Sequence, residues 1–173
     1  MYESHPMDIP TLTTERLLLR LYRPEEFDFY ASMNGSAEVM RYIDTAQDRA
    51  TAFRAFCAMF GHWQVRGHGM WLLEERATHR LVGHAGLPRW EGSAGMEVGY
   101  ALHPSAWGHG YATEACAAVL RHAHHTMGAR DVLSVIHPEN LASIRVAERL
   151  GARYDRDHVS RGETLRIYVH RNP

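Results

Sequence analysis

The sequence predicts an α/β (α+β) fold: one domain over residues 1–173, with helices and strands intermixed around a largely antiparallel sheet of about six to seven strands flanked by about four helices. Three observations carry this. Short apolar runs bounded by glycine, proline or polar clusters recur along the chain. Between them lie longer stretches whose apolar residues recur at helical spacing. The length of 173 residues, with 45% apolar and 23% charged residues, suits one domain with its own core.

The elements follow in order. Glu15–Leu21 (ERLLLRL) is short and apolar between Thr14 and Pro24, as a strand should be. Pro24 followed by Glu25 and Glu26 marks a helix start, with proline at the first position and acids at the positive dipole end. That helix fades at Asn34–Gly35. From Ala46 to Arg66 the residues Ala46, Ala50, Phe53, Cys57 and Phe60 recur on one face, and Gly67 ends a second helix. Met70–Glu74 and Arg80–Leu87 read as strands around a turn at Arg76–Arg80, and Met96–Leu102 as another after a turn at Gly92–Gly95. Gly110–Met127 is helical with Ala112, Cys116, Val119, Ala123 and Met127 on one face, stopped by Gly128. A strand at Val132–His137, a helix at Glu139–Leu150 and strands near Ala152–Val159 and Thr164–His170 complete the chain.

Composition removes several classes of function. Nineteen basic against twenty acidic residues disfavour a nucleic-acid binder. No apolar run approaches the ~20 residues that cross a bilayer, and Met1–Thr14 has no secretory apolar core, so a cytoplasmic location is expected. Cys57 and Cys116 sit in apolar helical patterns and read as reduced core residues. Among thirteen histidines, His122, His124 and His125 share one helix. No carboxylate or cysteine joins them at ligand spacing, so they read as a solvated face and no metal is expected.

The chemistry concentrates in EVGYALHPSAWGHGYATEA, Glu97–Ala115. Pro104 ends a strand, Gly108 and Gly110 bracket His109, and a helix begins at once. Glycines there let main chain approach a ligand, and first-turn amides without intrahelical partners form an anion site suited to a pyrophosphate. GxxxxGK(S/T) is absent, and so is GxGxxG, because Thr113 follows where the third glycine would stand.

The segment Trp107-Gly108-His109-Gly110-Tyr111-Ala112 resembles the (R/Q)xxGx(G/A) loop of the GNAT acetyltransferases, with tryptophan in place of the usual first residue. GYxLxPxxWGxGYATEA is similar to the RimJ/RimL-type branch, as is the opening TERLLLR. His137–Ser143 (HPENLAS), leading to Glu148-Arg149-Leu150-Gly151, resembles the family's later NxxS…EKxGF block. The resemblance implies a sheet that splays to admit acetyl-CoA, with an amine-bearing acceptor, and admits a homodimer. It implies that Tyr100, Ala101 and Leu102 lie on the strand that pairs with the pantetheine arm. By the same match Gly108, His109, Gly110, Tyr111, Ala112 and Thr113 wrap the pyrophosphate, and Asn140 meets the arm from the opposite wall.

Acetyl transfer to an amine needs a route for the ammonium proton, stabilisation of the carbonyl oxygen and protonation of the leaving thiolate. Glu97, at the start of the cofactor strand, is the first candidate base; His84 is the second and His137 the third. The tyrosine that many family members carry seven residues after the asparagine is Ala147 here, and no carboxylate lies in Val132–His137. Ser143, one helical turn nearer the cofactor, becomes the candidate donor to the sulfur, and a main-chain N–H at Leu102 or a neighbour the oxyanion partner. In the bland reading Asn140 and Ser143 only cap their helix. Trp71, Trp90 and Tyr42 are candidates for the acceptor pocket, against core or rim packing. The alternative function is a sensor or partner module that binds acyl-CoA without turnover.

Overall fold

The computed structural model describes residues 9–160 and 162–172; most of the stretch Met1–Thr14, read above for a secretory apolar core, lies outside them. Among the described residues eight strands form two sheets rather than one. β1 (Leu12–Thr13), β2 (Leu17–Arg20), β3 (Met70–Glu75), β4 (Leu81–Gly86) and β5 (Gly99–Leu102) build a five-stranded sheet in that order, antiparallel throughout. β6 (Asp131–Ile136), β8 (Glu163–Arg171) and β7 (Arg153–Ser160) build a three-stranded sheet with β8 in the middle. The helices are α1 (Phe27–Asn34), α2 (Ala37–Met40), α3 (Arg49–Arg66), α4 (Tyr111–Arg121) and α5 (Leu141–Arg149). The helix expected from Pro24 begins as a 3-10 turn, Pro24–Glu26, that runs into α1. The one expected to reach Met127 finishes as a π turn, His122–Thr126, with Gly128 at φ 71° behind it.

Among the described residues one backbone bridge joins the sheets. Val98 N–H donates to Leu133 O (2.8 Å) and Leu133 N–H to Met96 O (2.9 Å), a parallel bridge centred on Glu97 and Leu133. Past it β5 has no strand on that side, so a gap opens between β5 and β6. The predicted strand Met96–Leu102 is therefore shorter as observed. Its ladder to β4 begins at Gly99, because Pro88, opposite Glu97, has no N–H to continue the pairing.

Helices cover both faces of the five-stranded sheet. Ala115, Cys116, Val119 and Ala123 bring α4 and its π turn onto Leu17, Leu19, Leu73 and Val82 in the main core. On the other face Tyr22, Tyr30, Phe56 and Leu72 form an aromatic layer under α1 and α3. The predicted inner face of α3 is corrected: Ala52, Phe56 and Trp63 are buried, whereas Phe53 is 52% exposed and Cys57 lies at the surface. Apolar residues surround this helix, so several registers satisfy the spacing. Phe56 is selected by the rings of Tyr22 and Tyr30, 5.5 and 5.3 Å away. Asp48 caps the helix by accepting from Thr51 N–H, which leaves Ala46 ahead of it.

Candidate active site

Strand alternation decides what β5 offers. Val98, Tyr100 and Leu102 join the core beneath α4, while Ala101 packs with Met33 and Val39 of α1 and α2. Glu97 shares the parity of Ala101 and so belongs to the α1–α2 face. The main chain alternates as well. His103 N–H donates to Val82 O and Glu97 N–H to Pro88 O, which makes 101 and 99 the positions hydrogen-bonded to β4. The N–H groups of Tyr100 and Leu102 thus face the gap, and those of Ala101 face β4. The Leu102 carbonyl accepts the Trp107 indole N–H at 2.9 Å, so toward the gap Leu102 is a donor.

Behind β5 a 3-10 turn, Pro104–Ala106, leads into the glycine loop. Gly108 (φ 79°) and Gly110 (φ 80°) are both left-handed, a conformation that a Cβ strains. Nothing lies within 4 Å of a Cβ built on Gly108, so space adjoins the loop. Gly110 is the N-cap of α4 and supplies no side-chain cap, which leaves the first-turn amides of Tyr111, Ala112 and Thr113 for a ligand at the positive helix end. The loop is braced from the N-terminal strand. Arg16 donates to His109 O (2.9 Å), lies 4.7 Å over the Tyr111 ring and pairs with Glu114 at 2.6 Å. Glu114 also accepts from Thr14 Oγ1 (2.6 Å) and from Arg16 N–H (2.8 Å). Burial opposes its ionisation, but these donors outweigh it and hold the carboxyl below the usual range. The Tyr111 side chain is buried with its hydroxyl on Glu75, so only its main chain is available.

Across the gap, Asn140 is the N-cap of α5, its Oδ1 accepting from Ser143 N–H at 3.1 Å. Ser143 Oγ lies 2.9 Å from the Tyr100 hydroxyl, a bond from α5 to β5. Glu97 sits where the two sheets part. Burial pushes its carboxyl up to about 7, and no charged or hydrogen-bonding group among the described residues opposes this. His84 is four ladder positions from Glu97, roughly 13 Å along the strand. Its Nδ1 is 2.9 Å from the Tyr22 hydroxyl, and burial lowers it to about 4. It is a neutral histidine fixed in the aromatic layer.

The other candidates separate. Trp71 is fully buried, edge-on to Trp63 and bonded to Pro10 O, so it cannot line an acceptor pocket. Trp90 packs on His62 at the rim. Tyr42 stacks on His137 at 5.2 Å, joining the end of α2 to the end of β6. His122 lies edge-on to Trp71, and His124 Nδ1 is 2.7 Å from Ala129 O. Among the described residues no three His, Cys, Asp or Glu side chains group to hold a metal ion, and no helix is long and apolar enough to cross a membrane.

Residues 16–153 match the family model of the acetyltransferase (GNAT) domain. The chain belongs to the GNAT acetyltransferase family. As a GNAT protein it is 30% identical to an acetyltransferase from Agrobacterium tumefaciens str. C58 of known structure, with TM-score 0.87 and 95% of each chain covered. It is 27% identical to the Bacillus subtilis protein YkkB over 165 residues, 91% of this chain and 93% of that one. It is 26% identical to the B. subtilis N-acetyltransferase YnaD, with 82% of each covered. A Salmonella typhimurium acetyltransferase that modifies the N-terminal serine of ribosomal protein L7/L12 shares the fold at TM-score 0.79 and 15% identity, over 95% of this chain and all of that one.

The brace of Thr14, Arg16, Glu75 and Glu114 was not legible in the sequence. TERLLLR and ATEA carry the complementary charges, but 98 residues separate Arg16 from Glu114 and no local spacing links them. The Tyr100 hydroxyl contact is also invisible in the sequence, because its partner Ser143 lies on a separate helix.

Proposed function

We propose that this chain is a single-domain, acetyl-CoA-dependent N-acetyltransferase that passes acetyl directly to a primary amine, on a protein N-terminus or a small molecule, in a ternary complex. Glu97 carries the reading: a carboxyl with a pKa of about 7 at the vertex of the gap, on the face of β5 shared with α1 and α2. The residues fit the cofactor. The amides of Gly108 to Thr113 would hold the diphosphate, and the gap-facing groups of Tyr100 and Leu102, with Asn140 opposite, would hold the arm. Ala101 contributes by pinning β5 to β4.

Acetyl-CoA supplies the acyl group as a thioester. An alkylamine with a pKa of about 10 is mostly ammonium at pH 7, and Glu97 is basic enough there to accept its proton, directly or through a water. A gap-facing main-chain N–H, that of Tyr100, which is nearer Glu97 than that of Leu102, donates to the carbonyl oxygen as negative charge develops. Ser143 donates a hydrogen bond to the departing sulfur; a thiol pKa of about 8.5 means that no strong acid is needed. These roles use side chains and main chain and require no metal. The named activity of the L7/L12-modifying neighbour supports an amine acceptor.

A panel of peptide N-termini, polyamines and aminoglycosides, followed by release of free CoA thiol, tests this. Thiol release with at least one amine class is expected. Tight acetyl-CoA binding with no release on any amine would leave the acyl-CoA sensor as the reading.

A further inference from the structure

Tyr100 and Ser143 stand on different walls of the gap, and their hydroxyl oxygens are 2.9 Å apart. Both residues are held firmly. The Tyr100 ring packs against the main core beneath α4, and Ser143 is fixed in the first turn of α5 by the bond from its N–H to Asn140 Oδ1. A phenol is more acidic than an aliphatic hydroxyl and is the better donor of the two. With the phenol donating, Ser143 Oγ accepts, and its own O–H has no acceptor among the described residues. Burial raises the Tyr100 hydroxyl to about 12, so it keeps its proton throughout the range in which an amine is acetylated.

We propose that Tyr100 is a positioning residue for Ser143: its O–H donates to Ser143 Oγ across the gap and turns the Ser143 O–H toward the sulfur of the bound thioester. This deepens the function proposed above and rests on it. In the transfer the amine nitrogen bonds to the acetyl carbon, the carbon–sulfur bond breaks and sulfur keeps the electron pair. Glu97 takes the ammonium proton and releases it to solvent before attack, then takes the second proton from nitrogen as the amide forms; the thiolate is protonated from solvent. Both hydroxyl hydrogens stay on their own oxygens, since neither group is acidic enough to protonate a thiolate. Their contribution is a hydrogen bond that strengthens as sulfur becomes anionic, aligned in advance by a second one.

The test compares Tyr100→Phe, Ser143→Ala, the double variant and Ser143→Thr, which restores a hydroxyl. Phenylalanine keeps the ring packing, and thermal unfolding reports folding separately. Two readouts are taken: kcat and KM for acetyl-CoA, and the pH titration of the thiol of bound CoA by thiolate absorbance, which needs no acceptor. Ser143→Ala should lower kcat about tenfold or more, and Tyr100→Phe about three- to tenfold with KM for acetyl-CoA unchanged. The double variant should be no slower than Ser143→Ala, and Ser143→Thr should recover part of the rate. Both single variants should move the bound-thiol titration to higher pH. A silent Tyr100→Phe beside a slow Ser143→Ala, or losses that multiply in the double variant, would overturn the positioning role and leave the proposed function standing. A silent Ser143→Ala would remove Ser143 from the proposed mechanism, and this role with it.

Discussion

Replacing Glu97 by glutamine keeps the length of the side chain and removes its charge, and the expected effect has two parts of opposite sign. Burial raises the carboxyl from 4.5 to about 7. At about 1.4 kcal/mol per pH unit, ionising it in the folded chain costs up to roughly 3 kcal/mol, and partial exposure brings this nearer about 2 kcal/mol. Below pH 4.5 the carboxyl is protonated in both folded and unfolded chains, so parent and variant have equal stability. As the pH rises toward 7 the unfolded chain releases its proton first, and the parent loses stability; above 7 the full cost is present. Urea unfolding should therefore find Glu97→Gln about 2 kcal/mol more stable than the parent at pH 8 and indistinguishable at pH 4. Turnover should fall about a hundredfold at pH 7, with the limb near pH 7 gone from the profile and acetyl-CoA affinity retained. Parental turnover together with no stabilisation at pH 8 would refute the reasoning, because Glu97 would then be an ordinary solvated carboxylate.

Gly110→Val places a β-branched residue at φ 80° at the N-cap of α4, and calorimetry should show acetyl-CoA binding weakened about tenfold or more. Glu114→Gln loosens the ion pair with Arg16 that steadies the loop, so KM for acetyl-CoA should rise several-fold while kcat changes little. His84 and His170 are each lowered to about 4 by burial, so the unfolded chain binds more protons than the folded one between pH 6.5 and 4. Their stability is complete above pH 6.5 and is lost as the pH falls through that window. In the Glu97→Gln background, free of the opposing carboxyl, urea titrations should lose about 3 kcal/mol between pH 7 and 5.

Local signals were legible wherever the chain punctuates itself. Pro24 and the two acids after it opened α1, Gly67 at φ 70° closed α3, and the WGHGYA loop announced the start of α4. What the sequence left open depends on distant packing. The division into two sheets lies past the bridge of Glu97 to Leu133, residues far apart in the chain, and no local window contains that pairing. The α3 register was decided by rings on β2's exit and α1, and helical spacing alone could not choose between Phe53 and Phe56. For Trp71 the sequence leaves acceptor pocket and core packing both open; it packs in the core against α4 and Trp63, because Met70–Leu73 is buried on both faces and shows no alternation. Glu97 was legible by position, while its raised pKa comes from burial where the sheets meet.

Soaking crystals of the protein with acetyl-CoA tests the central claim most directly. The diphosphate should sit on the amides between Gly108 and Thr113, with the arm against the N–H groups of Tyr100 and Leu102 and the thioester between Glu97 and Ser143. Density for the cofactor elsewhere, or a gap that stays closed around the Tyr100–Ser143 bond, would contradict it.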